Sequence, residues 1–375
     1  MSAMDECRQN LAGAVLGIDL GAIRDNWRSL QARLAGAECA AVVKADAYGL
    51  GALKVGPALY AAGCRSFFVA HLDEAIALRP LLGDDAAVYV LHGAHPGAEP
   101  EFLAHGVVPV LNSRPQVDAW RSLAARRGQR LAAILQVDTG MARLGLSATE
   151  FDQLAEDESA LSGITLNCVM SHLACAEDRA HPANPVQRER FLAARARLPG
   201  VPASLANSSG IFLGADYHFD LARPGAALYG VAPTLGEANP LQQVIHLQGR
   251  VIQTRTVAAG TGVGYSHTWK ASRRSRIATV AVGYADGYLR ALSNRGHAFF
   301  DGVQIPLVGK VSMDTITVDI TDLPETALVE GSLIDLADLH HGVDAIAARA
   351  GTIGYEILTS LGQRYARRYF DSGRG

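Results

Sequence analysis

Between about residues 39 and 225, short apolar runs alternate with longer amphipathic stretches. The runs fall at 39–43, 66–70, 87–91, 107–111, 131–137, 164–170, 203–206 and 219–222, eight in all. Their apolar character is continuous rather than alternating, which predicts strands buried on both faces, as in a parallel sheet. Segments 73–79, 116–127 and 186–198 between them carry helical spacing. Eight such units predict a compact (β/α)8 barrel of the TIM type, with the last two units short. After about residue 240 the pattern changes. Runs at 244–257, 275–282, 304–308 and 315–320 alternate and are rich in Val, Ile and Thr, with Gly and Asp turns between them. They predict a mainly antiparallel β domain. Helices are expected at 343–350 and 355–365, with Arg364, Arg367 and Arg368 as cations suited to a helix C-terminus. The domains expected are 12–240 for the barrel and 241–375 for the β domain, the latter joined by residues 1–11.

A chain of 375 residues that is 49% hydrophobic and 19% charged can bury two large cores. Its net charge of -3 gives no electrostatic case for nucleic acid. Cys7, Cys39, Cys64, Cys168 and Cys175 are scattered, with no C-x-x-C pair. Neither a metal site nor a disulfide framework is expected, and reduced thiols fit a cytoplasm. Asp5 and Glu6 precede a short apolar stretch broken by Asp19, which is not a secretory pattern. No uncharged apolar run reaches 18 residues, so no membrane span is expected.

Chemistry enters with the lysine of Val43-Lys44-Ala45-Asp46-Ala47-Tyr48-Gly49, where the first barrel strand ends. There are four lysines against thirty arginines. An amine in a partly dry pocket favours its neutral, nucleophilic form and can form a Schiff base with an aldehyde, pyridoxal phosphate being the usual one. The simpler alternative is a lysine that merely ends a strand. In a barrel, function collects after the C-terminal ends of the strands. There the chain places Asp138-Thr139-Gly140-Met141-Ala142-Arg143, Ser171-His172, Asn207-Ser208-Ser209-Gly210 and Arg223-Pro224-Gly225-Ala226. The last two loops form a candidate phosphate cradle of hydroxyl and backbone N–H donors, or a pair of ordinary Gly/Ser turns. The β domain adds glycine-flanked Tyr265, Tyr284 and Tyr288, and Ser312-Met313-Asp314.

These stretches resemble the alanine racemases along nearly the whole chain: V-V-K-A-D-A-Y-G at 42–49, D-T-G-M-A-R-L-G at 138–145, S-H-L-A at 171–174, A-N-S-S at 206–209, A-R-P-G-A-A-L-Y-G at 222–230, V-G-Y-S at 263–266, G-Y-A-D-G-Y at 283–288, S-M-D at 312–314 and G-Y-E-I at 354–357. Their order and spacing are specific. The resemblance implies a pyridoxal 5'-phosphate enzyme that interconverts L- and D-alanine, for peptidoglycan or for alanine catabolism, as a homodimer with shared active sites and no metal. Lys44 is implied as cofactor lysine and one base, and Tyr265 from the other subunit as the opposite-face base. Tyr48, Asn207, Ser208, Gly225, Ala226 and Tyr355 are implied around the cofactor, chiefly its phosphate. Arg223 is implied at the pyridine nitrogen with His172 beside it. Arg143 and the backbone of Met313 are implied at the substrate carboxylate, with Gln136, Tyr284 and Asp314 in support.

Three departures stand out. Gln136 replaces a lysine that becomes carbamylated in many members, Ser312 a common cysteine, and Leu50 a common histidine. Gln136 removes an anion beside Arg143, so a solvent chloride is expected there unless the amide suffices. Rival readings are a racemase of other preference such as serine, a decarboxylase of similar fold, and a non-catalytic cofactor-binding protein. Ser312 speaks against the decarboxylase by supplying no thiol, and the tyrosine-bearing β domain speaks against the binder.

Overall fold

The computed structural model describes residues 11–372, and Cys7 and all but the last residue of the proposed joining segment 1–11 lie outside them. Contacts divide the chain into two units, one spanning Ile23–Leu241 and the other joining Gln242 onward to the segment that ends at Ala22.

In the first unit the continuous apolar runs become parallel strands in sequence order: Ala41–Val42, Ser66–Val69, Ala87–Val90, Val108–Leu111, Leu131–Gln136, Ile164–Met170 and Ala203–Ser204. The eighth, Leu221–Ala222, pairs parallel with Glu38–Cys39, the beginning of the first run. Arg223 N–H donates to Ala206 C=O and Val42 N–H to Pro224 C=O, each at 2.9 Å, so the ring closes. All eight expected strands are present. The units after strands seven and eight are short because the chain there makes single 3-10 turns, Ser209–Phe212, Ala215–Tyr217 and Ala226–Tyr229, instead of full helices.

Outside the strands, Arg114–Arg127 illustrates how a helix is set. Pro115 sits in its first turn, where a missing N–H costs nothing, and Gly128 ends it in the left-handed region at φ 62°. Val117, Trp120, Leu123 and Ala124 are its buried face. Trp120 meets Phe102 edge-to-face at 5.9 Å, and losing its ring would cost about 3–5 kcal/mol.

The second unit is the expected mainly antiparallel β domain. Ile245–Val257 is its long central strand, pairing antiparallel with Ser275–Val280 on one side and with Leu333–Ala337 on another. His297–Phe300, Val303–Pro306 and Ile316–Asp319 extend the sheet. Two readings need correction. Ala14–Asp19, assigned to the barrel, is a strand of this sheet, antiparallel to Ile245–Val257 and parallel to Ala366–Phe370. The helix expected to reach residue 365 stops at Ser360. The chain beyond it is drawn into the sheet by Ala14–Asp19, and Arg367 and Arg368 therefore lie in a strand. Arg364 is not a helix-terminal cation either. It holds the buried Asp286 with two bonds, Nε at 2.6 Å and Nη2 at 2.8 Å, and reaches Asp314 with Nη1 at 2.7 Å. No helix among the described residues is long and apolar enough to cross a membrane.

Candidate active site

Lys44 is half-buried at the end of the first barrel strand. Burial, and then the Arg143 charge, hold its amine below the usual lysine range, while Glu74 pulls the other way. The backbone that follows is unusual. Ala45, Asp46, Ala47 and Tyr48 all lie in the left-handed region, at φ 52°, 54°, 53° and 56°. Each such residue costs ~1–2 kcal/mol when it carries a Cβ. The surroundings must sustain this turn, and strain of this kind collects at functional sites.

The turn buries Tyr48. Its ring lies 4.8 Å from that of Tyr229, whose hydroxyl donates to Val42 C=O at 3.0 Å. The Tyr48 hydroxyl abuts Gly225: a Cβ at position 225 would lie 2.3 Å from it. Glycine is thus required there by close approach. Ser208 is buried beside it and its oxygen accepts from the N–H groups of Gly225 at 2.9 Å and Ala227 at 3.2 Å. Those bonds leave the Ser208 hydrogen free to point outward. Ser209 and Ala226 begin their 3-10 turns, so their N–H groups have no acceptor within the turn. Hydroxyls and N–H groups without a carboxylate suit a phosphate. Asn207 is turned to local use, accepting from Gly210 N–H at 2.9 Å and donating to Leu173 C=O at 3.5 Å.

Arg223 is buried at 4% exposure. Its Nη2 donates to Ser171 C=O at 2.6 Å and its Nη1 to the Ser204 hydroxyl. No carboxylate pairs with it among the described residues. Burial pulls its guanidinium down to about 10, still charged at neutral pH. His172 is pushed to about 3 by burial and then by Arg223, Arg143 and Lys44, so its ring is neutral throughout the neutral range. Buried cation, neutral imidazole, phosphate donors and a lysine with a lowered pKa together fit a phosphorylated pyridine aldehyde.

Arg143 is exposed on the loop after the fifth strand. Asp138 anchors that loop by accepting from Gly140, Met141 and Ala142 N–H groups at 2.9–3.2 Å. Burial raises the Asp138 carboxyl, but these donors and Arg190 outweigh it and hold it below the usual range. Buried Gln136 spends its amide N–H on Leu144 C=O at 3.1 Å, the residue after Arg143.

The remaining candidates lie in the β unit. Tyr265 is 70% exposed, between Gly264 at φ 69° and Ser266 at φ 58°. Ser266 accepts from the Lys310 amine at 3.0 Å. Met313 is exposed, and its C=O accepts from Ala285 N–H at 2.9 Å, beside exposed Tyr284. Asp314 is spent on Arg364. Tyr355 is half-buried in the first turn of Gly354–Ser360. Leu50, the apolar departure, is fully buried in the barrel unit.

Three positions escaped the sequence reading. Glu74 accepts from Ala45, Ala70 and His71 N–H groups. Buried Gln187 joins the loops after strands five and six, donating to His172 C=O at 2.9 Å and to the Thr139 hydroxyl at 3.3 Å. Ser204 braces Arg223. Glu74 had a faint signal, an acid in a helix first turn, whereas Gln187 and Ser204 had none.

Comparison with known proteins agrees with this geometry. The family models for the alanine racemase N-terminal and C-terminal domains match residues 18–233 and 244–369. A catabolic alanine racemase of Mesorhizobium japonicum is 54% identical over 358 residues, 96% of this chain and 93% of that one. An alanine racemase of Rhodospirillum rubrum is 53% identical over 362 residues, 96% and 97% of the two chains. The crystal structure of alanine racemase from Bartonella henselae with covalently bound pyridoxal phosphate superposes with a TM-score of 0.92 at 43% identity, covering 96% of this chain and all of that one. With both domain models matched in order and relatives more than half identical along its length, the chain belongs to the alanine racemase family.

Proposed function

We propose that the protein interconverts L- and D-alanine, with pyridoxal 5'-phosphate held covalently by Lys44 and with Lys44 and Tyr265 of the partner subunit as the two bases. The observation that carries this reading is one local arrangement. A lysine with a lowered pKa ends the first barrel strand, and the turn it begins carries Tyr48 directly onto the Ser208–Gly225 cradle. When bound, the cofactor draws electrons from the substrate α-carbon, so that its hydrogen can leave as a proton. The residues do the rest. Tyr48, Ser208 and the N–H groups of Ser209 and Ala226 hold the phosphate, helped by Tyr355. Arg143 and the Met313 backbone hold the substrate carboxylate. Proton removal from one face and return to the other is more than one base can reach, so two are needed. The exposure of Tyr265, Tyr284 and Met313, three large side chains at 70%, 43% and 53%, supports their completing a site in a second copy of the chain. Borohydride reduction should abolish the visible absorbance of the yellow protein and leave the reduced label on the Lys44 peptide. A label on Lys54, Lys270 or Lys310 would overturn the assignment.

Arg223 in this reading faces the pyridine nitrogen. A guanidinium charged at neutral pH does not hand over a proton, so the electron sink stays weak and transamination is restrained. An Arg223→Glu protein that retains the cofactor should racemise more slowly and form more pyridoxamine. The ratio of the two should rise about tenfold, equivalent to roughly 1.4 kcal/mol in relative barrier. An unchanged ratio, with cofactor content verified by absorbance, would remove Arg223 from that role.

No carboxylate among the described residues pairs with Arg143, and Gln136 brings an amide but no charge. Chloride beside Arg143 is therefore the expected counter-ion. At fixed ionic strength, replacing chloride by a bulky anion should change activity, while added bicarbonate should not. A flat response would mean that substrate and solvent suffice.

A further inference from the structure

The direction of the Lys44 side chain depends on the backbone that follows it, and that backbone is a run of four left-handed residues. Such a run does not sustain itself in L-residues. Two carboxylates bond around it. Asp46, the second residue of the run, accepts with Oδ1 from the N–H of Ala52 at 2.7 Å, beyond the run in the same segment. At the near end, Glu74 Oε1 accepts from Ala45 N–H, the first amide of the run, at 2.6 Å. The other oxygen, Oε2, accepts from Ala70 N–H at 2.7 Å and His71 N–H at 3.1 Å. One side chain thus ties the turn after the first barrel strand to the end of the second.

Glu74 is half-buried in the first turn of Leu72–Leu78, and no lysine or arginine forms an ion pair with it among the described residues. Three neutral N–H groups satisfy its oxygens without cancelling its charge. The charged groups that act on the Lys44 amine are Arg143, on the loop after strand five, and Glu74, and Lys44 in turn acts on His172 after strand six and His92 after strand three. Arg143 opposes a charge on the amine, whereas Glu74 favours it.

We propose that Glu74 is the positioning residue of Lys44: its carboxylate clamps the left-handed turn that follows the lysine to the end of the second strand. This rests on Lys44 being the cofactor lysine, and it adds a residue that acts through Lys44 without touching cofactor or substrate. Glu74→Gln keeps the size and removes the charge. Its NH2 group must then face an N–H that formerly met an oxygen. Glu74→Ala removes every acceptor.

The test uses the full-length chain, with bound cofactor and after its removal. Amide exchange is followed in peptides covering 45–51, and amine labelling with a trinitrobenzene sulfonate is followed against pH by mass spectrometry. Lys54, Lys270 and Lys310 serve as internal references, since the chain has four lysines. Glu74→Gln should accelerate exchange in 45–51 about tenfold while the barrel strands exchange as before. It should also move the Lys44 labelling profile to lower pH, with the three reference lysines unmoved. The loaded variant should lose kcat more than it gains KM. Should Glu74→Ala fail to fold, the glutamine variant carries the test. Unchanged exchange and an unchanged Lys44 profile would overturn the proposal. Faster exchange with an unmoved profile would also overturn it, because the carboxylate would then brace the turn without acting on the amine. A borohydride label on another lysine would instead overturn the Lys44 reading, and the exchange and labelling results would stand apart from it.

Discussion

Lys44→Ala should lose racemisation by on the order of a thousandfold or more, because it removes both the covalent anchor of the cofactor and one proton-transfer group. The fold should survive, since Lys44 is half-buried at a strand end and its amine bonds no described residue. Added small primary amines should restore part of the activity, by carrying the cofactor and the proton that the missing amine carried. A Lys44→Ala protein with full activity in the absence of added amine would contradict the central role of this residue. Circular dichroism and a thermal melt of the variant separate loss of chemistry from loss of structure.

The second large effect concerns sharing between subunits. Lys44→Ala and Tyr265→Ala homodimers should both be inactive. In a heterodimer of the two, one site contains both bases and the other lacks both, if each site draws Tyr265 from the partner subunit. Random exchange in a symmetric dimer makes half of the dimers mixed, each with one complete site of two, so roughly a quarter of wild-type activity should return. Verified heterodimers that stay inactive, while wild-type protein survives the same exchange, would place both bases in one subunit's site.

Much of this was legible in the chain because the relevant signals are local. The barrel strands read as continuous apolar runs, and most are buried on both faces, with exposed Thr165 in Ile164–Met170 an exception. Lys44, Tyr48, Arg143, His172, Ser208 and Arg223 follow strand ends, where barrel function collects, and the structure puts all six in the barrel unit. Ala14–Asp19 was not legible, since its partners begin some 230 residues later and nothing local announces a strand that pairs at such range. The helix expected to reach residue 365 overruns because Tyr355 to Leu358 carries a helical pattern that does not show where the sheet takes over. Glu74 and Gln187 act on backbone N–H and C=O groups of distant loops, and such bonds leave no pattern in sequence. The left-handed run after Lys44 is harder still, as Ala-Asp-Ala-Tyr contains no glycine to mark it.

The most direct measurement is chiral analysis of L-alanine incubated with the purified protein and its cofactor in heavy water. The account predicts D-alanine accumulating to equal amounts of the two enantiomers, with solvent deuterium on the α-carbon of the product. L-Alanine recovered as the sole enantiomer and without deuterium, from protein with its cofactor bound, would contradict it.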